Sequence, residues 1–275
     1  MKSKFLSLLL SGVFVLTCFA FSSTTLMAKK RIVFGGGPAG GTFQVVANGV
    51  QVYKPVKALK DYTIKAQSSA GSIENLRKVD RNRSQLGVVY SGHVYLGRNG
   101  MLKNDTNRYE NVLAVAFLYG APAQLVVRKG SGIKNPEDLV GKKVGVGNAG
   151  SGAFANCELF FNHLGIWDRV ERNAMGYNDA AAAFGNKQLD AFWLFTAFPS
   201  GAVIMAAQTN DIGLIDLGAW ARNSGFFKSI PISPSSRSLP GPTVEWITRL
   251  LRSRIRPSGW QVQRLPRISS MISFL

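Results

Sequence analysis

Cysteine and histidine are nearly absent from this 275-residue chain, at two residues each, and its 15 acidic residues face 33 basic ones. Cys18 falls in the leader described below, so Cys157 stands alone, which excludes an intramolecular disulfide and any cysteine-built metal cluster. Cys157 reads as a small buried hydrophobe in a helix. His93 and His163 are far apart, with no Cys, Asp or Glu at zinc-ligand spacing from either, and both read as incidental. A Gly-x-Ser-x-Gly nucleophile elbow is missing and no acid–base pair stands out. The chain is expected to catalyse nothing and to carry no cofactor or metal.

Long apolar runs are equally scarce. The single one, Phe5 to Phe21, follows Lys2 and Lys4 and gives way to small residues ending at Ala28. Charged start, apolar middle and small-residue end predict a signal peptide over residues 1–28, cleaved after Ala28, and export to the periplasm. The run is short for a membrane anchor, which needs about 20 apolar residues. The residues Val15-Leu16-Thr17 before Cys18 lack the small residue of a lipoprotein site.

The formal charge of +18 resembles that of a nucleic-acid binder until it is divided along the chain. Eight basic residues and one acid, Glu245, lie from Lys228 onward, and two lysines lie in the leader. What remains is mildly basic and scattered, which suits small anions and does not make a groove-binding stripe, so no nucleic-acid partner is expected.

Strands and helices alternate through the middle. Arg31 to Phe34 predicts a strand, Gly35 to Thr42 a glycine loop, and Phe43 onward a helix. Tyr62 to Ala66 repeats the pattern, followed by Ser68-Ser69-Ala70-Gly71-Ser72 and a helix from Ile73 with Ser72 as its N-cap. Leu86 to Tyr90 reads as a third strand ending at Ser91. Further strands are expected at Val112 to Leu118, Ala123 to Val127, Lys143 to Val146 and Leu189 to Trp193. A Gly147 to Gly152 loop opens another helix. The expectation is an α/β chain of two lobes with mostly parallel sheets and a central cleft, 29–119 forming the first part of one lobe, 120–220 the other, and 221–275 the return.

Gly35 to Gly40 fits Gly-x-Gly-x-x-Gly, the flavin-type dinucleotide fingerprint. That motif needs an acidic residue at the end of the second strand, where this chain has Lys65-Ala66-Gln67-Ser68. A coherent alternative treats three loops as one site at the strands' carboxyl ends, where helix N-termini offer free N–H groups to an anion. Its members are Gly37, Gly40, Gly41, Thr42 and Phe43, then Ser68, Ser69 and Ser72, then Gly150, Ser151 and Gly152, with Tyr90, Ser91 and Trp193 at neighbouring strand ends. Asp190 is either a contact or a strand terminus, and Arg128 reads as an exposed edge residue.

Gly36 to Phe43, Gln67 to Leu76 (QSSAGSIENL), Leu125 to Gly152 and Leu189 to Pro199 (LDAFWLFTAFP), in this order and spacing, resemble the TAXI-type solute receptors of TRAP transporters. The resemblance covers Lys30 to Phe227. It implies the type II periplasmic-binding-protein fold, a small carboxylate such as glutamate or 2-oxoglutarate in the interlobe cleft, and a TRAP permease in the membrane as partner. Relatives carry Thr where this chain has Ala153, which removes one hydroxyl from the implied site.

From Lys228 the resemblance stops and the chain turns to ten serines, seven arginines and six prolines. One reading is a basic tail for a membrane or nucleic acid. The other is a shifted reading frame. Taking the last base of each codon with the first two of the next, Ser229 to Pro234 can read Tyr-Pro-Tyr-Phe-Thr, while Trp246-Ile247 and Met271-Ile272 each force aspartate and Trp260-Gln261 forces alanine. Sequencing the codons from Gly225 to the stop decides this. We expect the shifted frame to restore a family-like, acid-containing ending; codons that exclude those residues establish the basic tail.

Overall fold

A computed structural model describes residues 29–229; the expected leader and all but the first residues of the basic tail lie outside them. The chain builds two sheets with helices packed on them. The first has the order β2-β1-β3, from β1 (Lys30–Gly35), β2 (Tyr62–Gln67) and the two-residue β3 (Leu86–Gly87), all parallel. Its helices are α1 (Thr42–Val52), the short α2 (Lys54–Lys57), α3 (Ser72–Asp80) and α4 (Ser91–Arg98).

The second sheet has the order β6-β5-β7-β4-β8, from β4 (Ala123–Arg128), β5 (Lys143–Gly145), β6 (Glu171–Asn173), β7 (Ala191–Phe195) and β8 (Ile212–Leu214). Around it lie α5 (Gly152–His163), α6 (Tyr177–Gly185), α7 (Gly201–Thr209), α8 (Leu217–Asn223) and α9 (Phe226–Ser229). β5 pairs parallel with β6 and β7, whereas β4 runs antiparallel to β7 and β8. The α/β class and the mostly parallel pairing agree with the sequence reading, and β4 is the exception the alternation did not reveal.

Central position explains composition. All five residues of β7 are buried, and its run Ala-Phe-Trp-Leu-Phe is apolar throughout, as a strand covered on both faces requires. Cys157 is buried in α5, a small hydrophobe in a helix as its sequence setting suggests, and burial pushes its thiol up. Arg128 is no free edge residue: it donates to the carbonyls of Phe184 and Leu189 and lies over the Phe184 ring, closing the end of α6.

Three local expectations fail. Val112 to Leu118 forms no strand and pairs with none among the described residues. Ser72 is the first helical residue of α3 rather than its cap, which is Gly71 at φ +127°. Leu217 to Ser229, expected to lead back to the first lobe, packs instead on the second sheet's helices, with the Phe226 ring 5.1 Å from that of Phe160.

Two buried polar anchors hold the first sheet's surroundings. Asn75 in α3 donates from one amide nitrogen to the carbonyls of Gly35, Gly36 and Val88, tying helix to sheet. Asp105 accepts from Arg77 at 2.5 and 3.0 Å, from the Tyr109 hydroxyl at 2.6 Å and from Asn107, fastening the 99–111 loop to α3. Burial alone would raise the Asp105 pKa, but Tyr109, Arg77 and Asn107 together hold it far below the usual carboxylate range. A depressed carboxylate contributes stability that is full above its unfolded value, near pH 4, and is lost as pH falls from there through the folded value. Asp105→Asn should therefore cost about 2 kcal/mol at pH 7, the half-exposed Arg77 screening the pair. Thermal melts between pH 7 and pH 3 should fall less steeply in the variant than in the wild type; parallel slopes would show that the pair does not carry acid sensitivity.

Candidate functional site

Where the two sheets' units meet, a cleft of about 330 Å³, its open mouth included, is lined by fourteen residues. From the first unit come Pro38, Gly41, Phe43, Ala70, Gly71, Ser72 and Tyr90; from the second come Asn148, Ser151, Gly152, Ala153, Tyr177, Phe195 and Thr196. No charged side chain is among them.

The polarity of the cleft comes from helix ends. Gly41, Gly71, Tyr90 and Ser151 are the N-caps of α1, α3, α4 and α5, and Tyr177 is the first residue of α6. Five helices of eight residues or more thus start at the cleft wall. A helix N-terminus leaves its first N–H groups without intrahelical acceptors and carries a partial positive charge. Among the described residues no protein acceptor is found for the N–H groups of Ser72, Ile73, Gly152 or Ala153. The ends of α3 and α5 face each other across the cleft, a Cβ on Gly71 lying 3.9 Å from that of Ser151.

The side chains lock this backbone and stay neutral. Ser151 caps α5 by accepting from Phe154 N–H at 3.0 Å. Tyr90 and Tyr177 both donate to the Phe195 carbonyl, and Tyr177 also accepts from Phe195 N–H at 3.2 Å. Burial raises the Tyr90 and Tyr119 phenols and pushes Tyr177 up to about 12, so all three remain protonated donors near neutrality. The Phe43 and Tyr90 rings lie tilted with centroids 4.8 Å apart, and Tyr90 and Phe195 meet edge to face at 4.5 Å. Arrayed N–H groups with neutral hydroxyls and an aromatic wall can hold a small anion by hydrogen bonds and dipoles alone.

The units bind each other around the same cleft. Thr42 N–H donates to Thr196 Oγ1 at 3.0 Å, and the two threonine hydroxyls meet at 3.1 Å. Ser200 donates to the Gly40 carbonyl at 3.3 Å, and Lys103 pairs with Glu158 at 2.7 Å. Gly40 has φ +82°, and a Cβ there would fall on the Asn178 side chain, so only glycine permits this approach.

Of the residues expected from sequence, the structure brings Gly41, Phe43, Ser72, Tyr90, Ser151 and Gly152 to the cleft wall. Thr42 and Gly40 lie behind it in the bonds just described. Gly37 is buried with its N–H on Gln44 Oε1 at 3.2 Å, and Ser69 bonds the Gly36 carbonyl, so both shape the loop. Ser68 and Gly150 are exposed and Ser91 is half-buried, none of them on the wall. Trp193 is a correction: it sits in the core between Phe160 and Phe161, two residues short of the strand end, where Phe195 reaches the cleft. Asp190 accepts from Lys143 N–H at 2.9 Å and terminates its strand. His93 is a second correction, for it is buried beside the cleft with Nδ1 2.9 Å from Ser72 Oγ. Tyr177 carried no sequence signal; Asn148 lay in the Gly147 to Gly152 loop, and Phe195 and Thr196 lay inside the quoted LDAFWLFTAFP segment, though none of the three was singled out. β2 ends at Gln67 with no carboxylate for a ribose.

The model of the NMT1-like family matches residues 34–224. Among solved structures, a protein from Bordetella bronchiseptica RB50 superposes with a TM-score of 0.51 at 22% identity, covering 68% of this chain and 56% of its own. This chain thus spans little more than half the length of that protein. The periplasmic aliphatic sulphonate binding protein SsuA from Escherichia coli follows at TM-score 0.41 and 15% identity, over 73% of this chain and 70% of its own. The ligand binding component of an ABC-type import system from Staphylococcus aureus gives 0.44 and 13%, over 68% and 60%. The superposition shows that this chain shares the fold of the Bordetella bronchiseptica protein.

Gly152 makes a tight contact across the seam: a Cβ there would lie 2.6 Å from His93 Cε1 and 2.8 Å from Ser72 Cβ. Gly152→Val should leave each sheet intact while holding the units apart, costing about 1–3 kcal/mol as overpacking does. X-ray scattering should show a larger radius of gyration than wild type; an unchanged radius would mean that the seam yields elsewhere.

Proposed function

This chain belongs to the NMT1-like family, and from that premise we propose that it is the extracytoplasmic solute-binding receptor of a TRAP-type uptake system, taking a small carboxylate in the interlobe cleft. The observation that carries the reading is the start of five helices at a cleft without a charged side chain. A carboxylate there accepts from backbone N–H groups at α3 and α5, the phenols of Tyr90 and Tyr177 hold the seam, and the aromatic wall covers the carbon skeleton. The lining offers no charged side chain to act as acid or base, and on this reading the site retains a solute and does not convert it.

The two sheet units serve as lobes, 29–119 and 120–220, that close on the solute, and the closed form docks on the membrane permease. Ser72 and Gly152 are the residues of the sequence-derived set whose backbone N–H groups serve the ligand best. The periplasm is its place of work.

Thermal melting with millimolar 2-oxoglutarate or glutamate tests the ligand class, with an aliphatic sulphonate as a second anion. A ligand at 100 times its Kd stabilises by about 2.7 kcal/mol, which for a chain of this size raises Tm by about 5–10 °C. A folded protein that no carboxylate shifts while the sulphonate does would replace the carboxylate; one that neither shifts would remove the anion reading.

A further inference from the structure

We infer that His93 is a positioning residue of the cleft whose neutral ring holds the two units together, so that acidification opens the cleft and lowers the affinity for its anion. The inference rests on the receptor reading for its ligand, and on the seam geometry for its switch.

His93 is the third residue of α4, 5% exposed, and its ring is enclosed from both units. From its own unit come Ser72, whose Oγ is 2.9 Å from Nδ1, and the Tyr90 ring at 5.5 Å, edge on. From the other unit comes Gly152, the first residue of α5, close enough that a Cβ would meet Cε1 at 2.6 Å and Nδ1 at 2.9 Å. Burial of the ring therefore depends on closure.

The tautomer of the ring sets which proton lies between His93 and Ser72. Ser72 Oγ accepts from Tyr90 N–H at 2.9 Å, and in the neutral tautomer protonated at Nε2 its own hydrogen goes to Nδ1. A protonated Nδ1 would donate instead, displacing the serine hydrogen. The imidazolium would also sit at the starts of α3, α4 and α5 together, each carrying partial positive charge.

No charged side chain compensates. On the elements packed against the ring, Glu74 is held by Lys78 and Ala70 N–H, Arg77 by Asp105, and Glu158 of α5 by Lys103. The remaining titratable groups there are Lys78 and Asp80 on α3, Tyr95 and Arg98 on α4, Cys157 and His163 on α5, and the neutral phenol of Tyr90. Burial is the one cause that lowers the His93 pKa, to about 4. With the units apart the ring regains its ordinary value near 6.5. The closed form thus binds fewer protons than the open one between these values. Its advantage is full above about pH 7 and falls as pH drops, by about 30-fold at pH 5.

The full chain tests this directly, because it has two histidines and hence two imidazole signals in proton NMR. His163→Gln leaves the signal of His93, which should titrate well below 6.5; an ordinary titration overturns the inference without any further variant. Small-angle scattering should show the wild type expanding between pH 7.5 and pH 5, and His93→Asn, which keeps an acceptor for Ser72, staying compact. Equal expansion in both also overturns it. Calorimetry with 2-oxoglutarate should give an affinity falling about 30-fold over that range in wild type and nearly constant in His93→Asn. Absence of 2-oxoglutarate binding in both proteins at pH 7.5, with the scattering difference intact, would refute the ligand and leave the latch standing.

Discussion

The rest of this molecule depends on an electrostatic constraint: several helix N-termini are brought to one seam, and no acidic side chain lines the cleft between them. Each parallel strand of the first sheet delivers its loop to the same edge, and β5 delivers Gly147 to Gly152 opposite. Backbone N–H groups so exposed need acceptors, and the protein supplies some from within, as Ser151 does for Phe154 and Thr196 for Thr42. Those it leaves at Ser72, Ile73, Gly152 and Ala153 are concentrated where the units face each other. An unsatisfied buried donor costs about 1–3 kcal/mol, so a closed seam of this composition gains from an anion within it.

The same constraint explains why the excess positive charge stays outside. A chain at +18 has lysines and arginines to spare, yet none lines the cleft. A buried guanidinium would hold an anion strongly but would pay desolvation each time the cleft closed empty, whereas helix dipoles are fixed in the fold and carry little such penalty. The charged residues that do cross the seam, Lys103 and Glu158, pair with each other at its periphery. Under the proposed function, binding and release would balance on hydrogen bonds rather than on a buried ion pair.

Local grammar made the first half of this legible. Glycine loops between an apolar run and a helical period gave β1, β2, β5 and the helices after them, and the three-loop site followed from where strand ends must lie. What escaped was tertiary. Tyr177 and Thr196 become wall residues only where the second unit meets the first, and Tyr177 lies in no segment that the sequence singles out. Trp193 and Phe195 share one face of β7, so periodicity could not separate them; position along the strand did, with α5 covering Trp193 and leaving Phe195 at the open end. The antiparallel β4 was hidden because its residues are as apolar as those of a parallel neighbour. Val112 to Leu118 shows the converse, a β-like composition that stays unpaired because strand propensity is a statement about neighbours.

His93 shows most sharply what spacing omits. Judged by neighbours in sequence it has no metal partner and no catalytic one, and it reads as incidental. Its partners are 21 residues back at Ser72 and 59 ahead at Gly152, the latter a glycine, a residue type that no search for chemistry selects. Yet the absence of a side chain at Gly152 is what lets the start of α5 press on the imidazole, and that pressure couples the ring's protonation to the closure of the cleft. A single glycine at a helix start thus does two things at once: it brings bare N–H groups to the anion, and it sets a neutral histidine against the positive end of another helix. The two roles have the same physical origin, so a seam built to attract an anion is necessarily one that resists a proton.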